Sequence, residues 1–121
     1  MIEILAGLPD NVVAFRAKGH VTRKDYDDVL VPKVKEAFAK HRKVRCLYEL
    51  GPEFAGMAPA AMWEDFKVGI EHLASWERIA VVTDVEWIRL TMSVFRFIMP
   101  GEIRLFGTAQ TAEARRWLAA D

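Results

Sequence analysis

Two short runs, KVRCLYELG at 43–51 and ERIAVVTD at 77–84, constrain the fold more than anything else in this chain. Each is apolar at nearly every central position and ends at a turn residue. A strand reads this way when both faces of its sheet are covered, which is the situation of a central strand in a parallel sheet. A helical pattern lies between the two runs, and strands alternating with helices imply parallel neighbours joined by right-handed crossovers.

The rest of the chain fits around this pair. IEILAGLPDNVVAFRAKG reads as two strands about a turn, with Pro9, Asp10 and Asn11 supplying the break. Thr22 with Asp25 three residues on opens a helix as a capping box. Tyr26, Leu30, Val34, Ala37 and Phe38 then recur at helical spacing. Pro32 falls inside that pattern, removes a backbone donor, and predicts a kink or break. A Gly- and Pro-containing loop, GPEFAGMAP, precedes a helix over 60–74, in which Gly69 permits close approach to the sheet. A further helix opens at Asp84, which is placed to cap it. GEIRLFG is a last strand and TAQTAEARRWLAA a last helix. The expected order is β-β-α-β-α-β-α-β-α, a single α/β domain over 1–121 with a mostly parallel sheet covered by helices.

Composition narrows the function classes. The 121 residues are 52% hydrophobic and 28% charged, as in a folded globular chain. Seventeen basic side chains balance seventeen acidic ones, so the basic excess of a general nucleic-acid binder is missing, and no nucleic-acid partner is expected. The KHRK cluster at 40–43 reads as a helix end favoured by its C-terminal carbonyls. Cys46 is the single cysteine and sits in an apolar run, as a buried inert thiol does. No basic start followed by an apolar region marks a secretory signal, and no apolar run reaches the ~18 residues needed to span a bilayer. The expected location is cytoplasmic, with peripheral contact at the membrane.

Chemistry-bearing residues are sparse. Sites in open α/β sheets tend to lie beyond the carboxyl ends of the strands, which here brings His20, Glu49, Asp84, Glu86 and Trp87 toward one rim. A carboxylate and a histidine together suit acid–base work, but capping accounts for Asp84. His20, His41 and His72 lie on separate elements, so no metal site is expected. No phosphate-binding glycine loop and no serine nucleophile elbow is present. No catalytic residue and no cofactor is therefore assigned.

Taken in order, Leu8-Pro9-Asp10-Asn11, Asp25-Tyr26, Pro32, Trp63-Glu64-Asp65, Lys67, Gly69, His72, Glu77-Arg78, Asp84 and Trp87 carry a resemblance. Along essentially its whole length the chain resembles the SpoIIAA-like proteins, small bacterial domains with a STAS-type fold, also described as STAS/Sec14-like. The resemblance implies a non-enzymatic domain that binds partners or small ligands, and its Sec14-like relatives in shape bind lipids. The chain departs from the anti-anti-sigma pattern in one respect. No Ser or Thr lies between Gly51 and Asp65, so the phosphorylation switch of those proteins is not expected.

The segment DVEWIRLTMSVFRFIMPGE at 84–102 asks for a further explanation. Around a helix, Trp87, Leu90, Val94, Phe97 and Ile98 form one apolar face, and Ile88, Met92, Phe95 and Met99 a second. Only a narrow strip with Glu86, Arg89, Ser93 and Arg96 is polar. One stripe suffices for packing on a sheet. The first face is expected on the sheet, leaving Met92 and Phe95 for association. The second face is then covered within the fold, or it serves a homodimer, a hydrophobic or lipid-like ligand, or reversible contact with a membrane surface. Candidate ligand or interface residues are Trp63, Asp84, Trp87, Ile88, Met92, Phe95, Arg96 and Met99, with Phe54 and Met57 in a mobile lid. The leading expectation is a domain binding a hydrophobic or lipid-like ligand, a membrane surface, or both. A protein–protein or regulatory module is the alternative, and an enzyme of unknown class the third.

Overall fold

The computed structural model describes residues 1–57, 75–97 and 101–120. The expected helix over 60–74, with Trp63 and Gly69, lies outside the described residues, as do Ile98 and Met99. The side chains of Met57 and Phe95 also lie outside them.

Five strands form the main sheet: β1 (Ile2–Ile4), β2 (Val12–Ala17), β4 (Val44–Leu50), β6 (Trp76–Thr83) and β7 (Glu102–Phe106). Their order is β1-β2-β4-β6-β7. β1 runs antiparallel to β2 with Ile2 opposite Ala17, and every other pair is parallel. The expected hairpin and the mostly parallel sheet are both present.

The two apolar runs are the middle of this sheet, and period-two alternation splits their side chains between its faces. Val13, Phe15, Cys46, Tyr48, Val81 and Ile103 belong to one core. Val12, Ala14, Leu47, Ala80, Val82 and Phe106 belong to the other. Tyr26, Leu30 and Val34 cover the first face together with Ile88. The helix Thr111–Ala119 covers the second through Ala114 and Leu118.

Thr22 caps the first helix as expected. Its hydroxyl accepts from the Asp25 N–H (3.3 Å) and its own N–H donates to the Asp25 carboxylate (2.8 Å). Pro32 acts in a particular way. The turn before it, Tyr26–Leu30, is π-helical, and the Val31 N–H bonds back to the Tyr26 carbonyl. Widening this turn accommodates a residue that brings no N–H and whose ring crowds the preceding turn. Beyond it the α-helix Val31–Lys40 continues with proline in its first turn.

Two elements were not expected. Gly19–Val21 (β3) and Phe54–Met57 (β5) pair in parallel as a small separate sheet. The Gly19 N–H also donates to the Glu53 carbonyl. Phe54–Met57 in the middle of the supposed lid is therefore a strand, and Phe54 packs against the core. The assignment of Phe54 and Met57 to a mobile lid is corrected accordingly. Both short strands contain a glycine at positive φ, Gly19 at 61° and Gly56 at 152°. Such residues give no β signal in a sequence.

Candidate functional site

The rim expected from the sequence does not assemble into one site. The strand order never reverses, so the sheet has no switch point at which loops diverge to opposite faces and open a crevice. His20, Glu49 and Asp84 each have separate partners, and only Asp84 and Glu86 line a common cleft. His20 is exposed on β3 and its ring lies over Gly56, 3.3 Å from where a Cβ would stand. Glu49 is buried on the second face between two arginines, accepting from Arg115 (3.2 Å) and Arg16 (3.5 Å).

Asp84 does not cap the helix that follows it. That helix, Glu86–Phe95, begins after Val85 without a side-chain cap, and the Thr83 hydroxyl accepts the Val85 N–H (3.1 Å). The Asp84 carboxylate reaches across to the start of the last helical segment. There it accepts from the Thr108 hydroxyl (2.5 Å) and the Thr108 N–H (3.1 Å). A Cβ at Gly107 would stand 3.2 Å from that carboxylate, so the glycine gives it room. These two Thr108 hydrogen bonds favour the charged form and hold the Asp84 carboxyl below its ordinary 3.8. A depressed folded-state value contributes stability above the ordinary value that is lost as pH falls through the folded one. Asp84→Asn is therefore expected to destabilise the protein at neutral pH. The gap from the parent should close as pH drops below 3.8, as followed by thermal unfolding across pH 2.5–6.

The Glu86–Phe95 helix is rotated opposite to the expectation. Ile88 is 6% exposed and Met92 packs against the first core. Trp87 is 44% exposed, Leu90 62%, Val94 67% and Phe97 89%. The assignment of Ile88 and Met92 to an outward surface is therefore corrected: they hold the helix on the sheet. The face expected to pack, led by Leu90 and Val94, is the one left to solvent. Trp87 keeps its place as a candidate, and Leu90, Val94 and Phe97 join it.

The polar strip of this helix also has a definite place. Glu86, Arg89, Ser93 and Arg96 line a cleft of about 920 Å³ whose opposite wall is β7. Arg89 donates to the carbonyls of Thr83 (2.9 Å) and Phe106 (3.3 Å), tying the helix to the ends of β6 and β7. β7 is an edge of the sheet. Among the described residues neither Glu86 nor Arg96 has an ion-pair partner.

A second feature escaped the sequence reading. Arg45 donates to the carbonyls of Leu118 and Ala120, and Arg78 to those of Trp117 (2.8 Å) and Ala120 (3.0 Å). The two guanidinium groups thus satisfy carbonyls that a helix C-terminus leaves open. Arg78 and Arg104 also lie over the Trp117 ring, at 5.5 and 4.7 Å from its centroid. Partners so far apart in sequence leave no local pattern to find.

Comparison with known proteins bears on this arrangement directly. The SpoIIAA-like family model matches residues 12–119. The chain belongs to the SpoIIAA-like family. Among solved structures, it is similar to an uncharacterized protein of the DUF3478 family with a SpoIIAA-like fold from Shewanella loihica PV-4. The two share 27% identity with a TM-score of 0.75, over 97% of this chain and 93% of that one. No curated protein matches. The SpoIIAA-like domain thus has the expected α/β fold, and the family sets no ligand or reaction for it. No helix among the described residues is long and apolar enough to cross a membrane.

Proposed function

We propose that this SpoIIAA-like domain acts by binding rather than catalysis. Its working surface is the outward stripe of the Glu86–Phe95 helix and the turn after it, which docks reversibly on the interfacial region of a lipid surface. The observation that carries this reading is the exposure of Leu90, Val94 and Phe97 beside Trp87. Four bulky apolar side chains lie along one helix and its C-terminal turn, and contiguous exposed patches of this kind mark interaction surfaces. A helix lying in the plane of a membrane buries such a stripe at the headgroup boundary, with tryptophan at the polar–apolar transition. Arg96 is exposed at the end of the stripe. A lone cation gives only weak attraction to anionic headgroups, so the contact is reversible.

The test is co-flotation with vesicles of phosphatidylcholine containing anionic phosphatidylglycerol. The double variant Leu90→Ser, Phe97→Ser is expected to keep its melting temperature, because both side chains are already in water, and to lose most flotation. Equal flotation of variant and parent would remove the lipid reading.

The spacing of the stripe favours one alternative. Trp87, Leu90, Val94 and Phe97 are separated by three, four and three residues, the interval at which two helices interlock along a seam. A homodimer through this stripe is the second reading. Sedimentation separates it from the first, since a dimer that the same double variant converts to monomer, without flotation of the parent, selects it.

A further inference from the structure

The cleft between the Glu86–Phe95 helix and β7 has the parts of a strand-accepting groove. Its floor is a sheet edge of five residues, Glu102–Phe106. Every second residue of an edge strand turns its N–H and C=O away from the sheet, where another chain can take them. Its wall is a helix held on the core by Ile88 and tied to the sheet by the bonds from Arg89 to the Thr83 and Phe106 carbonyls. An incoming strand would find both sides in place.

The charges on the wall specify what would fit. Arg89 reaches the Phe106 carbonyl, so the helix runs antiparallel to β7, with its N-terminal end beside Phe106. Glu86 therefore stands at the Phe106 end of the groove, and Arg96 at the end where Gly101 and Glu102 lie. Ten residues of helix rise roughly 15 Å between them. The first and fifth residues of an extended chain are about 13 Å apart and share one face with the third. Leu90 lies between the two charges on the same wall.

We propose that this groove binds an extended peptide segment of another protein as a sixth strand beside β7. The segment carries an acidic side chain toward Arg96, an apolar one two residues along toward Leu90, and a basic one two further toward Glu86. Running parallel to β7, the pattern is acidic-x-apolar-x-basic; running antiparallel, it is the reverse. A second copy of β7 is a poor occupant. Its charges, Glu102 and Arg104, are two residues apart and already paired with each other, not four apart. The site shares Leu90 and Arg96 with the lipid-facing surface and is otherwise separate from it.

The experiment uses the intact protein and fluorescein-labelled heptapeptides Ser-Glu-Thr-Val-Thr-Lys-Ser and Ser-Lys-Thr-Val-Thr-Glu-Ser, with an Ala-for-charge control. Fluorescence anisotropy should show one charged order binding about tenfold or more tighter than the control, since charge complementarity sets specificity and register. Amide exchange should slow at β7. The exchange variant Glu86→Lys, Arg96→Glu should fold normally by circular dichroism, because both side chains are exposed, and should reverse the preference between the two peptides. Phe97→Ser, which alters the lipid-facing stripe and lies outside the cleft, should bind the peptides as the parent does, which keeps this result independent of the lipid reading. Three results would overturn the proposal: equal binding of all peptides, a preference the exchange variant leaves unchanged, or protection of β7 that appears only as the protein dimerises.

Discussion

Tyr26→Ala is expected to be among the most destabilising single changes in the described residues, at about 3–5 kcal/mol. Tyr26 is fully buried and begins the π-helical turn. Its ring fills the first core beneath β2 and β4, and its hydroxyl lies 2.7 Å from the hydroxyl of Tyr48 on the sheet. Truncation removes the ring, leaves a cavity and takes a hydrogen-bond partner from Tyr48. Tyr26→Phe keeps the ring and loses the hydroxyl pair with Tyr48, for which about 1 kcal/mol is expected. Denaturant unfolding of both variants separates packing from hydrogen bonding. Equal losses would place the main contribution of Tyr26 in its hydroxyl.

The second large effect tests the rotation of the Glu86–Phe95 helix. Ile88→Ala is expected to cost about 2–5 kcal/mol, since the side chain is enclosed in the core. Leu90→Ala, two residues on, removes a side chain of equal size from solvent and should change stability by no more than about 0.5 kcal/mol. The contrast between two aliphatic residues on one helix depends on orientation and little else. Comparable losses would mean that the outer stripe is covered in solution.

That rotation is also where the sequence was hardest to read. The strands were legible because KVRCLYELG and ERIAVVTD are apolar on both faces, which few other environments tolerate. The Thr22–Asp25 capping box was legible because its chemistry is local, and Pro32 because a missing donor must be accommodated somewhere. The helix offered two apolar stripes of similar bulk, and hydrophobicity cannot choose between equals. A signal was present in the polar strip of Glu86, Arg89, Ser93 and Arg96. It is too narrow to be a solvent face, and it serves the cleft along β7 instead. Asp84 was misread for a different reason. Two acceptors precede the helix, and the Thr83 hydroxyl takes the Val85 N–H while Asp84 takes both donors of Thr108. The buried Glu49 with Arg16 and Arg115 joins three elements far apart in the chain, so periodicity could not reveal it.

The unreversed strand order bears on how the chain can be made as well as on where a site can form. From β2 onward each strand of the main sheet joins the free edge left by its predecessor. No strand must later be inserted between two that have already paired. The sheet can therefore be laid down in the order in which a ribosome delivers it, without opening a finished pair. The last helix, which covers the second face through Ala114 and Leu118, comes at the very end. Until it emerges, no helix among the described residues lies over Leu47, Ala80 and Val82, and that face of the sheet lacks its Ala114 and Leu118 cover. A ribosome stalled before residue 111 would hold a sheet without the Ala114 and Leu118 cover of its second face, a species on which a chaperone would act.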